Sequence, residues 1–187
     1  MKVLFVCTGN ICRSPMGELM FPLFFHDASV TADSAGVLGL INNPIDPSSE
    51  RLMNQDGIDA SSFRSKRLTP QLAMSSDLIL CFTERQRKKI VELAPRSRSR
   101  TFLLTDFADL CTYCRDNNMI HGDTLENRLD SVLGNASLVR PMLPKAREID
   151  DPYQQEFPAF ETAHEQIGEA FASIAAALEP ARGAHAH

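Results

Sequence analysis

Residues 7–14 read Cys7-Thr8-Gly9-Asn10-Ile11-Cys12-Arg13-Ser14 and follow directly on the apolar run Val3-Leu4-Phe5-Val6. A cysteine and an arginine bracket five residues, and a serine comes next. This arrangement lets a thiolate attack phosphorus while a guanidinium and main-chain amides hold the phosphoryl oxygens. Only the thiolate is nucleophilic, and a free cysteine, with a pKa of about 8.5, is mostly protonated near neutrality. A loop that turns its N–H groups inward makes an anion nest, and a helix opening just after it adds the positive end of its dipole. Such a field suits a thiolate nucleophile before the substrate arrives and a phosphoryl group afterwards. Gly9 lets the backbone approach a ligand. Arg13 can offer two parallel N–H donors to equatorial phosphoryl oxygens. Ser14 lies where a hydroxyl can reach the cysteine sulfur, and Pro15 suits the first helical position, where no N–H is needed. A lone cysteine after a buried strand is usually a small core residue. The strand before, the glycine within and the Ser-Pro helix start after it give this one a chemical reading.

Far downstream, Asp150 and Asp151 are adjacent in Asp150-Asp151-Pro152-Tyr153, and two neighbouring aspartates on a surface loop are by themselves usually just solvated. Expelling an aryl oxyanion from phosphorus calls for a positioned acid, and hydrolysis of a phosphocysteine calls for a base; one carboxyl group can serve in both steps.

The stretch from Val6 to Pro15 resembles the signature of the low-molecular-weight protein tyrosine phosphatases, and Asp151-Pro152-Tyr153 resembles that family's general-acid loop. Asp33-Ser34-Ala35-Gly36 and Asp77-Leu78-Ile79-Leu80-Cys81 also look like family segments. The resemblance covers residues 1–107 and 148–179. It implies a single phosphatase I-like α/β domain over residues 1–179, with a four-stranded parallel sheet of order 2-1-3-4 and helices on both faces. It implies Cys7 as nucleophile, and a phosphate loop made of Thr8, Gly9, Asn10, Ile11, Cys12, Arg13 and Ser14. Asp151 rather than Asp150 is then the acid, and Leu40 and Tyr153 wall the substrate slot. The implied substrate is phosphotyrosine in a protein, hydrolysed with no metal or organic cofactor. Cys12 has a redox reading: a second thiol that traps oxidised Cys7 as a disulfide, to be released by a thiol reductant.

Several positions depart from the family pattern. Leu40 stands where many members carry an aromatic slot wall, and Gln154 where a second aromatic is common. Phe63 replaces a histidine that usually pairs with the glutamate matched by Glu18, so Glu18 needs another partner or solvent.

Composition sets wider bounds. The chain has 187 residues, 43% hydrophobic and 23% charged, as one ordinary globular domain would. A net charge of −5 argues against a nucleic-acid partner. No apolar run approaches the roughly 20 residues of a membrane span, and Met1-Lys2 leads straight into a strand rather than a signal peptide. Five cysteines, at 7, 12, 81, 111 and 114, make no secreted disulfide framework and suggest a reducing cytoplasm.

Strand and helix signals alternate. Strands are expected at Val3–Val6, Val30–Asp33, Asp77–Phe82 and Thr101–Leu104. Helices are expected from Ser14 to about His26, from Asp46-Pro47 to Gly57, and after a Thr83–Gln86 capping box up to Pro95. Phe160, Ala163, Ile167, Phe171, Ile174 and Leu178 recur at helical spacing and mark a closing amphipathic helix. Residues 180–187 read as a disordered tail. Residues 108–147 exceed the family's link between fourth strand and acid loop. They read as a helical insert near the active-site rim, with a helix from Asp123-Thr124 to Gly134-Asn135, that tunes which proteins are substrates. Cys111 and Cys114, with His121, supply three ligands where a structural zinc wants four, so a buried helical Cys-x-x-Cys is the reading. The clusters at 85–89 and 96–100 read as solvated basic faces.

Two other activities share this loop. A thiol-linked arsenate reductase needs two relay cysteines close together; Cys81 could be one, but no cysteine follows within a dozen residues. Protein arginine phosphatases carry a threonine where Ile11 stands, and an apolar Ile11 fits an aryl ester better.

Overall fold

The computed structural model describes residues 1–180. Strands β1 (Lys2–Cys7), β2 (Thr31–Gly36), β3 (Leu78–Cys81) and β4 (Thr101–Leu103) form one parallel sheet in the order β2-β1-β3-β4. The expected topology is therefore realised. β1 is central and buried on both faces, as its unbroken apolar run requires. Its alternate residues serve two cores. Val3, Phe5 and Cys7 join Leu78, Leu80 and Phe102 on one face, whereas Leu4 and Val6 join Ile79, Cys81 and Leu103 on the other.

The first face is covered by α1 (Arg13–Phe24), α5 (Leu104–Asp116), α6 (Leu125–Val139) and α7 (Phe157–Leu178), with α2 (Pro47–Gln55) at its margin. The second is covered by the short α3 (Pro70–Met74) and by α4 (Glu84–Leu93). Phe171 of α7 meets Phe5, Phe21 and Phe25 edge-on at 5.6, 6.0 and 5.9 Å between ring centroids. The closing helix thus locks α1 onto β1, and α1 carries the end of the cysteine loop.

Local signals were realised with shifts. The Thr83–Gln86 capping box forms in full, and Asp46 caps α2 by accepting from the Ser48 amide. α1 starts one residue earlier than expected, so Pro15 is its third residue rather than its first. The absent N–H still falls in the first turn, where no helical carbonyl would take it. β2 runs on through Ser34, Ala35 and Gly36, beyond the expected Asp33. Apolar patterning hides this extension because its polar side chains are satisfied: Asp33 pairs with Lys2 and Lys66, and Ser34 is hydrogen-bonded. α3 was not expected; Thr69 caps it by accepting from the Leu72 amide.

The 108–147 stretch is helical over much of its length. Residues 104–116 form α5, which packs on α7 and buries Phe107, Leu110, Cys111 and Cys114 in the main core. Its first part, residues 108–116, therefore continues a core helix rather than starting a separate element. α6 also runs through Gly134 to Val139, because one glycine inside a helix costs only about 1 kcal/mol against alanine. Nor does α6 start at the active-site rim. The Met1 ammonium pairs with Glu126 at 3.1 Å, and the Leu125 amide donates to Asp27 at 3.1 Å, so α6 begins beside the amino ends of the strands. That is the sheet edge opposite Cys7. The expected tail lies outside the described residues, except for Pro180.

Gly36 ends β2 against the cysteine loop. A Cβ there would sit 2.6 Å from the Thr8 carbonyl oxygen and 2.9 Å from the Asn10 nitrogen, both main-chain atoms that cannot turn away. Gly36→Ala should destabilise the fold by about 1–3 kcal/mol in denaturant unfolding, with a larger proportional loss of any activity at the loop. An unchanged midpoint would mean that the loop yields freely.

Candidate active site

The cysteine loop sits at the carboxyl end of the central strand, where open α/β sheets place their ligands. Its carbonyls point outward and are held. Cys7, Thr8 and Gly9 accept from the amides of Val37, Leu38 and Leu40 at 2.9, 2.9 and 3.3 Å, and Ile11 accepts from that of Asp46 at 2.8 Å. With the oxygens drawn outward, the amides face the loop's interior, the form of an anion nest.

Asn10 is the hub. It is fully buried at φ 59°, a left-handed conformation that asparagine tolerates better than most residues. Its side chain is saturated: Oδ1 accepts from the Lys66 amide at 2.8 Å, and Nδ2 donates to Ser14 Oγ and Ser34 Oγ, both at 2.9 Å. Ser14 Oγ lies 2.9 Å from Cys7 Sγ, within hydrogen-bond reach, and 3.4 Å from the Ala35 carbonyl. The Asn10 amide donates to Cys7 Sγ at 3.2 Å. A main-chain amide and a hydroxyl therefore meet at the sulfur, and both can donate to it once it is a thiolate.

The same network answers for Glu18. With Phe63 buried in the core, Glu18 accepts instead from Ser34 Oγ at 2.5 Å. Burial pushes the Glu18 carboxyl above its ordinary value of 4.5, while the Ser34 hydroxyl pulls it back in part.

Arg13 is 2% exposed. Its guanidinium donates to the Ile149 carbonyl at 2.8 Å, pairs with Asp151 at 3.1 Å, and lies 5.8 Å from the centre of the Phe82 ring. Its Nε is buried with no acceptor among the described residues. The Ile149 amide in turn donates to the Phe82 carbonyl at 3.0 Å, tying the approach to Asp151 to the end of β3. Residues 136 positions apart in sequence are thus joined through one side chain. Asp151 is half exposed; its Oδ1 accepts from the Tyr153 amide at 3.2 Å, and Gln155 donates to its carbonyl at 2.9 Å.

These groups enclose a cavity of about 210 Å³ lined by Cys7, Arg13, Asp151, Leu40, Tyr153 and Leu38, with Thr8, Gly9, Ile11 and Cys12. Most of the site residues expected from sequence meet in one place; Asn10 and Ser14 stand behind the cavity as its support. Leu38, Ser34 and the Ile149 carbonyl were not foreseen. The resemblance of Asp33-Ser34-Ala35-Gly36 to a family segment was the available signal for Ser34. The Ile149 carbonyl had none, because a main-chain acceptor leaves no trace in residue type. Cys12 is buried, which pushes its thiol well above the ordinary value. Cys81 is fully buried on the opposite face, next to the Phe102 carbonyl at 3.4 Å, and takes no part in this cavity.

Residues 2–115 match the family described as low molecular weight phosphotyrosine protein phosphatase. The chain belongs to that family. It is 37% identical over 103 residues to the low molecular weight protein-tyrosine-phosphatase Ptp of Acinetobacter johnsonii, covering 55% of this chain and 71% of the relative. Among solved structures it is similar to the tyrosine phosphatase Wzb from Escherichia coli K30 in complex with sulphate. That match has a TM-score of 0.69 and 25% identity, and covers 94% and 96% of the two chains. The YwlE arginine phosphatase from Geobacillus stearothermophilus shares the fold at a TM-score of 0.72 and 22% identity, over 100% and 97% of the chains. The family match ends one residue short of the end of α5, which agrees with α5 belonging to the common core.

Because the folded state holds Glu18 protonated to higher pH than the unfolded chain does, its ionisation opposes folding. Stability from this group is fullest below the unfolded value and is lost as pH rises through the raised folded one. Glu18→Gln should therefore gain on the parent as pH goes from about 4 to about 7, read from paired thermal or denaturant midpoints. A difference that stays flat or reverses over that interval contradicts the assignment.

Proposed function

We propose that this chain hydrolyses phosphotyrosine in proteins through a phosphocysteine on Cys7. The observation that carries the reading is the convergence of Cys7 Sγ, the Arg13 guanidinium and the Asp151 carboxyl on one cavity. The Cys7 thiolate attacks phosphorus. The bond to the tyrosine oxygen breaks, its electron pair stays on that oxygen, and Asp151 supplies the proton. Water then attacks the phosphocysteine, Asp151 takes its proton, and the sulfur leaves as thiolate with release of inorganic phosphate. Arg13 and the inward amides of residues 8–13 hold the equatorial oxygens as charge builds on them. Ser14, fixed by Asn10, steadies the sulfur as nucleophile and as leaving group.

Leu40, Ile11 and Tyr153 wall the slot. Tyr153 offers a face for the aryl ring, and the apolar Ile11 favours an aryl ester over a guanidinium phosphate. The substrate of the chain is accordingly a phosphotyrosine protein. Five free thiols among the described residues suit a reducing cytoplasm, and no helix described here is long and apolar enough to cross a membrane. Cys12 extends the chemistry: the sulfenic acid formed when peroxide oxidises Cys7 condenses with the Cys12 thiol, releasing water and leaving a disulfide that an external thiol reduces.

Cys7→Ser should lower turnover of aryl phosphates by at least about 10³-fold while inorganic phosphate still binds, because a serine hydroxyl is not ionised near neutrality. Retained turnover removes Cys7 as nucleophile. Asp151→Asn should cost about 10²-fold or more on phosphotyrosine and clearly less on an ester with an acidic leaving group, which needs little protonation. If Asp150→Asn has the larger effect, the acid is the neighbouring aspartate.

A further inference from the structure

Large exposed apolar side chains are not scattered evenly over this protein. Nine are exposed among the described residues; three of them, Leu38, Leu40 and Tyr153, line the cavity, and a fourth, Ile41, follows Leu40 directly in the chain. Isolated exposed leucines need no explanation, but a contiguous group beside a binding site does. Ile41 is 69% exposed and Leu38 56%, the first and fourth highest values in the group of nine.

The main chain of the segment that carries three of them is held in place. The Val37, Leu38 and Leu40 amides are bonded to the carbonyls of Cys7, Thr8 and Gly9, and the Gly39 amide to that of Gly36 at 3.1 Å. Ser65 Oγ donates to the Leu40 carbonyl at 2.7 Å, Arg67 Nε to that of Gly39 at 3.3 Å, and the Asn42 amide to the Ser65 carbonyl at 2.8 Å. Asn42 closes the segment in the left-handed region, at φ 64°. Backbone bonds to the cysteine loop therefore fix the main chain of residues 37–40, and Leu38, Leu40 and Ile41 are exposed on it. A surface on a preformed backbone binds at a reduced ordering cost.

A protein substrate anchored by its phosphoryl group must leave the cavity over this rim. Successive residues of an extended chain advance about 3.3–3.6 Å, so the side chains one or two positions from the phosphotyrosine fall within reach of residues 38–41. We propose that Leu38 and Ile41 determine substrate specificity by selecting phosphotyrosines with an aliphatic residue one or two positions away. This rests on the phosphotyrosine reading above and names the sequence context that the same site takes. Leu38 and Leu40 line the cavity, whereas Ile41 lies outside that lining, so the proposal gives it the flanking residue and not the aryl phosphate.

The test is a series of phosphotyrosine peptides that differ only at one flanking position, scanned over two positions on either side with Leu, Ser or Asp. Each is assayed with the parent chain and with Ile41→Ser, beside para-nitrophenyl phosphate. At one or more positions the parent should favour Leu over both Ser and Asp by about tenfold in kcat/KM, the range that one apolar side chain in a partial pocket gives. Ile41→Ser should lose most of that preference and leave para-nitrophenyl phosphate turnover unchanged. Peptide affinities for Cys7→Ser should follow the same order, separating binding from chemistry. A flat peptide profile with normal para-nitrophenyl phosphate turnover overturns this inference alone. So does a concentration-dependent dimer that Ile41→Ser disperses without altering the profile, which would give the rim to a second copy of the chain. No turnover of any aryl phosphate would remove the phosphotyrosine reading together with it.

Discussion

A buried asparagine in a left-handed conformation holds this site together. Asn10 has one side-chain acceptor and two side-chain donors, and all three are used, on the Lys66 amide, Ser14 and Ser34. A buried polar group left without its partners costs about 1–3 kcal/mol, so each of these bonds resists rearrangement of the loop. Through them three separate stretches of chain, near residues 14, 34 and 66, are drawn onto one loop whose sulfur and amides must hold a fixed geometry. Catalysis by preorganised dipoles requires the dipoles to be in place before the reaction begins. The network extends outward in both directions: through Ser14 to the Cys7 sulfur, and through Ser34 to a carboxyl group whose ionisation burial disfavours.

Arg13 supplies the second long-range link. It is nearly inaccessible yet engages both the Ile149 carbonyl and Asp151, so the start of α1 and the distant acid segment meet on one guanidinium. The route from α6 to Asp151 is anchored stepwise. Arg140 pairs with Asp106 at 3.0 Å, Thr105 Oγ donates to the Arg147 carbonyl, and the Glu84 amide donates to Glu148 at 2.8 Å. The extra helix therefore meets the site through the segment that follows it. Its own start lies at the far end of the sheet, where it packs on α5 and pairs with the amino terminus.

Much of this was legible in sequence for identifiable reasons. The short apolar run before Cys7 reads as a doubly buried strand, and the spacing of Cys7, Arg13 and Ser14 gains its weight from that strand, from Gly9 and from the Ser-Pro helix start. The resemblance supplied the sheet order and the choice of Asp151 over Asp150. What failed did so where side-chain pattern and backbone role diverge. β2 outruns its apolar pattern because its last residues are polar and small, though their polar groups are satisfied. α5 follows β4 without a break, so no turn residue separates residues 108–116 from the strand before them. α6 continues through Gly134, a residue that helix packing tolerates. Its position relative to the site is a tertiary fact, set by Met1, Asp27 and Glu126, that no local pattern carries.

The account stands or falls on whether phosphate is passed to the sulfur at the end of β1. The direct measurement is acid-quenched mass spectrometry of the full chain, mixed rapidly with excess aryl phosphate, followed by peptide mapping of any adduct. The account predicts one phosphoryl group per chain, transient in the parent, longer-lived in Asp151→Asn because water is no longer activated, and located on Cys7. Steady turnover with no adduct, or an adduct mapped to any other residue, would contradict it.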